Sequence, residues 1–154
     1  MSSLFDASSL LNENLAANAT KREPLPAGET IAQILKIEIK DGKAGPNAKN
    51  PGAPWHRLDN QLEITDPAYL SQIPGNPEKA VLFHGIMLDV ENGGITAGPN
   101  KNVNLGKWRA AAGVNGKPLN QLIGQFVRVQ IGHSPIPNDP DGGVRHEVVG
   151  FTMV

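Results

Sequence analysis

The 154-residue sequence has no cysteine, which excludes disulfides, thiolate metal sites and cysteine nucleophiles together. Aromatic residues make up only 5% of the chain, with two Trp, one Tyr and four Phe, so any surface that works by ring stacking has few side chains to use. No apolar run approaches the roughly 20 residues of a membrane-spanning helix. The start, Met1-Ser2-Ser3-Leu4-Phe5-Asp6, lacks a basic segment and an apolar stretch, so no secretory leader is expected. Charge is nearly balanced, with 14 Lys+Arg against 15 Asp+Glu. Glycine (17) and proline (13) are abundant, which implies many turns and short elements. A chain of this length buries enough surface for one core and too little for two. The expectation is a soluble, intracellular, single-core protein.

Residues 1–23 differ from the rest in being rich in Ser, Asn, Ala and Leu. Asp6 can cap a short helix carrying Leu10, Leu11 and Leu15 on a narrow stripe, an N-terminal arm that either rests on the domain or docks on a partner. Pro24 and Pro26 end that arm, and residues 24–154 form the main domain. From Glu29 the hydrophobic period becomes two. Glu29–Lys40 places Ile31, Leu35, Ile37 and Ile39 on one face, and Trp55–Ile64 places Leu58, Leu62 and Ile64 opposite Arg57, Asp59, Gln61 and Glu63. Ala80–Val90 is almost continuously apolar, the pattern of a central strand, with Gly85 marking a bulge or bend. Asn104–Ala112 has helical spacing through Leu105, Trp108 and Ala112, with Asn104 as cap and Gly113 as stop. A helical turn over Leu119–Ile123 leads to strands Gln125–Ile131 and Val144–Met153, the last with Val149, Phe151 and Met153 opposed to Val144, His146 and Val148. Three strands, a helix and two strands is the order of an OB-like five-stranded Greek-key barrel; a small β-sandwich is the alternative.

Charge is segregated along the chain. Residues 36–57 sum to +3, residues 58–91 to −5, and residues 92–138 to +5 with no acid in 47 positions. Two basic blocks folded onto one surface would make a local field suited to an anionic polymer, whatever the net charge. The connection Lys40–Pro54 carries Lys43 and Lys49 and no hydrophobic anchor, and the connection Gly132–Gly143 is also long. Loops of such length in compact domains commonly carry function.

Catalytic and metal chemistry find little support. His56, His84, His133 and His146 lie at no metal-ligand spacing. Asp139-Pro140-Asp141-Gly142 lacks the later ligands of a calcium loop and reads as a turn. Gly93–Gly98 is followed by Pro99 where a phosphate loop needs Lys-Ser/Thr. No nucleophile elbow and no acid–base pair appear, so no catalytic residue, metal or cofactor is assigned. Aromatic residues beside basic ones are the stronger signal, because single strands are held by a positive groove and by rings on which bases stack. Trp55, between Pro54 and His56-Arg57, shares the polar face with Arg57; Tyr69 and Phe83 are weaker candidates. Trp108, between Lys107 and Arg109, lies on the apolar stripe, which favours the core over stacking.

The runs Pro24-Leu25-Pro26-Ala27-Gly28-Glu29, Lys101-Asn102-Val103-Asn104-Leu105-Gly106-Lys107-Trp108-Arg109-Ala110-Ala111-Ala112-Gly113-Val114 and Leu122-Ile123-Gly124-Gln125-Phe126-Val127-Arg128-Val129 resemble small bacteriophage-encoded single-stranded-DNA-binding proteins of OB-fold type, associated with replication and recombination. The resemblance covers residues 24–154. It implies sequence-independent, non-catalytic binding of single-stranded DNA in the host cytoplasm through Lys36, Lys43, Lys49, Trp55, Arg57, Lys101, Lys107 and Arg109. The sequence does not separate DNA from RNA. The end Val149-Gly150-Phe151-Thr152-Met153-Val154 departs from the acidic tail of bacterial-type binders, which moves self-association or recruitment of a replication or recombination partner to residues 1–23. No membrane partner is expected. The alternative function is a small phage structural or assembly protein that binds other proteins through the same barrel.

Overall fold

A computed structural model describes residues 23–154 of the chain; the expected N-terminal arm therefore lies outside the described residues, apart from Glu23. The described chain is mainly β. Strands β1 (Gly28–Lys43), β2 (Pro54–Ile64) and β3 (Ala80–Leu88) come first, with a one-turn helix α1 (Pro67–Leu70) between β2 and β3. A two-stranded hairpin, β4 (Val90–Glu91) and β5 (Gly94–Ile95), precedes helix α2 (Val103–Ala111). A 3-10 turn (Leu119–Leu122) then leads to β6 (Phe126–Pro135) and β7 (Val144–Thr152). The five long strands make one antiparallel sheet in the order β3-β2-β1-β6-β7.

β1 holds the two halves of the sheet together. Its first residues, Gly28–Gln33, pair with β6, while Ala32–Lys43 pair with β2. The register with β2 shifts between Ile34 and Lys36, which leaves Leu35 as the extra residue of a bulge. A bulge inverts the alternation. Thr30, Ala32 and Ile34 point inward before it, whereas Ile37 does so after it, and Ile39, opposite Leu58, shares that face but is exposed. The single face expected for Ile31, Leu35, Ile37 and Ile39 is therefore corrected: Ile31 lies on the outer face opposite Arg128, and Leu35 is exposed at the bulge. The same device recurs in β7, where the register with β6 shifts between Gln130 and Ile131. Val148 pairs with Ile131 and Phe151 with Val129, so the two share the inner face and Val149 stands out to solvent. The expected face Val149–Phe151–Met153 fails for that reason.

Inner-face residues Ala32, Ile34, Leu58, Leu62, Ile64, Leu82, Ile86, Val127, Val129 and Ile131 form the core with Tyr69, Leu70, Leu105, Trp108 and Leu122. α2 covers this face and inserts Trp108, which is fully buried. Its indole N–H donates to Asn60 Oδ1 at 3.1 Å, and Asn60 Nδ2 donates to the His84 carbonyl at 3.1 Å, so the buried indole and the Asn60 amide are both partnered. Trp108 is thus a core residue. Asn102, not Asn104, precedes the helix, and its side chain is used elsewhere. It accepts from the Asp89 N–H and donates to the carbonyls of Asp89 and Thr96, which ties the β4–β5 hairpin to α2.

β3 and β7 are the two ends of the sheet, and no ladder joins them. The sheet is open. Rings span the gap instead: Trp108 meets Phe151 edge-on at 5.0 Å between centroids, and His84 lies 4.9 Å from Trp108 and 5.7 Å from Phe151. β3 is consequently an edge strand, not the central strand its apolar run suggests. Gly85 makes no bulge there, because the β2–β3 register runs unbroken from His56↔Leu88 to Ile64↔Ala80.

Candidate nucleic-acid interface

The registers fix which side chains share the outer face of β1, β2 and β3. Lys36, Gln61 and Phe83 form one row across the strands; Glu38, Asp59 and Gly85 form the next. Lys40, Arg57 and Met87 form a third, and Gly42 with Trp55 a fourth. Two glycines make this face. A methyl built on Gly42 falls 2.5 Å from Trp55 Cζ2, so the indole lies directly on the bare backbone of β1. A methyl on Gly85 falls 2.8 Å from Arg57 Cδ, so the arginine stem runs across β3 in the same way. The guanidinium carbon of Arg57 sits 5.4 Å from the Trp55 ring centroid, within cation–π range.

Asp59 organises the charges. Arg57 Nε and Nη2 donate to its two oxygens at 2.5 and 3.1 Å, a bidentate fork, and Lys40 Nζ lies 3.2 Å from Oδ2. Partial burial pushes the Asp59 carboxyl up, but the hydrogen bonds from Arg57 and Lys40 outweigh it and hold the group below its ordinary value. The bond to Asp59 in turn raises the Arg57 guanidinium above its ordinary value. Beside this pair is a shallow hollow of about 580 Å³ lined by Lys40, Arg57, Asp59, Phe83 and Gly85. Phe83 is 65% exposed and Met87 57%. Trp55 and Phe83 lie six residues apart along paired strands, about 20 Å at the usual rise.

Of the residues expected to contact nucleic acid, Lys36, Trp55 and Arg57 share this face, and Lys43 ends β1 opposite Pro54 at its margin. Lys49 is exposed in the β1–β2 connection, whose turn is closed by backbone bonds between Ala44 and Ala53 and between Gly52 and Ala44. Lys101, Lys107 and Arg109 are elsewhere. They belong to the approach to α2 and to α2 itself, which covers the inner face, so the helix cations lie across the sheet from Trp55. Lys107 lines an apolar hollow of about 660 Å³ with Ala110, Ala111 and Val149–Met153. Arg109 is half-buried and donates to the Lys117 carbonyl. The two basic stretches do not meet on this face.

Three contributors escaped the sequence reading or were underrated by it. Lys40 looked like one more strand lysine, Asp59 belonged to the acidic block, and Phe83 was only a weaker stacking candidate within an apolar run read as a central strand. The signal was present in Val81, Phe83 and Met87, which alternate with buried Leu82, Ile86 and Leu88 and so needed either a second layer or an exposed apolar surface. Comparison with protein-family models, with curated proteins and with solved structures gives no significant match. Among the described residues, no helix is long and apolar enough to cross a membrane.

Proposed function

We propose that the chain is a non-catalytic, sequence-independent binder of single-stranded DNA that uses the outer face of β1–β2–β3, and that it serves phage replication or recombination in the host cytoplasm. One observation carries this reading: the Trp55 indole rests against Gly42 with Arg57 beside it, and an exposed Phe83 stands on the same face. Stacking on a ring is tolerant of base identity, since every base has a π-face, and is worth roughly 1–3 kcal/mol per base. Lys36, Lys40 and Arg57 supply the cations on the face of the rings, with Lys43 at its margin. The strand order, the helix between the third and fourth long strands, and a first strand shared by both halves of the sheet support an OB-type barrel whose β3–β7 seam is bridged by side chains.

The test is a titration of a fluorescently labelled oligothymidylate against the protein at low salt, beside the same measurement with Trp55→Ala. Binding that weakens as salt rises, and that falls about tenfold in the variant while its melting temperature holds, is the expected result. Absence of binding at low salt removes the reading. A defined oligomer by light scattering, together with that absence, leaves the structural or assembly role, for which the exposed Val81, Phe83 and Met87 would be the contact surface.

A further inference from the structure

We propose that Asp59 is a built-in counter-anion that the phosphate backbone of a bound strand must displace, and that it thereby sets the affinity of the site. The inference rests on the single-strand reading above and adds a residue that acts against binding. Both cations closest to the Phe83-lined hollow, Arg57 and Lys40, are already committed to this one carboxylate. Their side chains are 39% and 47% exposed, whereas that of Asp59 is 18% exposed. The cations are free to swing to an incoming anion; the carboxylate is held between them.

Two consequences follow from simple electrostatics. A phosphate arriving at Arg57 or Lys40 exchanges one anionic partner for another, so the attraction it gains is offset by the one it breaks. A cation neutralised from within also releases fewer counterions, so binding depends on salt more weakly than the number of basic residues on the face implies. The polar geometry of the site suits this exchange, because a guanidinium fork that takes two carboxylate oxygens takes two phosphate oxygens equally well.

The experiment compares wild type, Asp59→Asn and Glu38→Gln in oligothymidylate titrations across a series of salt concentrations. Glu38 stands on the same face, in the same row, outside the Lys40–Asp59–Arg57 set. Asp59→Ala repeats the measurement without an amide that could itself hold Arg57. The expected result is binding about tenfold tighter at low salt for both Asp59 variants, the size of one charge-assisted contact. The slope of log affinity against log salt should steepen by about 0.7 for each phosphate newly neutralised. Glu38→Gln should move both quantities much less. Wild-type binding with unchanged or weaker binding by the Asp59 variants overturns the proposal and makes Asp59 a support for Arg57, while the single-strand reading stands. Equal gains from Asp59→Asn and Glu38→Gln also overturn it, since general charge would then suffice. Absence of binding by wild type and variants alike removes the single-strand reading and this inference with it.

Discussion

Gly42 decides how Trp55 is presented. Any β-carbon there collides with the indole, and because the ring is the free end of a side chain near the end of the strand, the ring moves rather than the backbone. Gly42→Ala should therefore leave the melting temperature nearly unchanged while shifting Trp55 emission to the red. Trp108, fully buried, supplies an unchanging blue component. A red shift absent from the variant would mean that the indole does not rest on Gly42. Tyr69 gives a second prediction of this size. Its hydroxyl donates to the Pro26 carbonyl at 2.7 Å, and burial pushes the phenol up to about 12 from an ordinary value of 10.0. The sign follows directly. The folded state keeps the proton longer, so this contribution is whole below pH 10 and is lost as pH rises from there through about 12. Alkaline unfolding should begin in that window, and Tyr69→Phe should flatten the pH dependence while lowering stability at neutral pH by about 1 kcal/mol. An unchanged alkaline profile in the variant would count against it.

At the scale of elements, α2 is bonded to the sheet through Trp108 and Asn60. Asn60→Ala removes the acceptor for a fully buried indole N–H, which should cost about 1–3 kcal/mol in a urea melt. A loss under about 0.5 kcal/mol would show that water reaches the site. His84 sits in the same seam, and burial holds its imidazole below the ordinary 6.5. A group whose folded value is depressed supports the fold above pH 6.5 and withdraws that support as pH falls below it. His84→Phe should remove this part of the acid sensitivity. The elements themselves were legible in the sequence: Ala80, Val144 and Ile64 were each placed at an end where the strand does begin or stop, because alternation and turn residues are local signals. Faces were legible only up to the first bulge. Leu35 and Val149 are ordinary β-formers, and nothing local marks them as extra residues; their role comes from partner strands far away in sequence. The position of β3 at an edge was hidden for a related reason, since apolar side chains that form an exposed surface resemble those that fill a core.

For the whole molecule, the charge blocks along the chain did not become charged surfaces. β2 carries residues from both a basic and an acidic block, and its register sets Asp59 beside Lys40 and Arg57. What survives of the sequence argument is the Trp55–Arg57 pair, which alternation alone puts on one face. The placement of α2 separates two groups of cations that a titration can rank. Lys40→Glu should weaken oligonucleotide binding severalfold and reduce its salt dependence, whereas Lys107→Glu should change it little, since α2 lies across the sheet. The reverse ranking would move the binding surface to the α2–β7 side.

The bulge at Leu35 also limits how this protein can change length. Deleting that one residue would leave Ile34 opposite Leu62 and Lys36 opposite Gln61, so β1 would alternate without interruption and every side chain would keep its face. Insertions and deletions are thus tolerable in the connections around residues 44–53 and 136–143, and within the β1–β2 ladder Leu35 is the position whose loss leaves the paired residues on their faces.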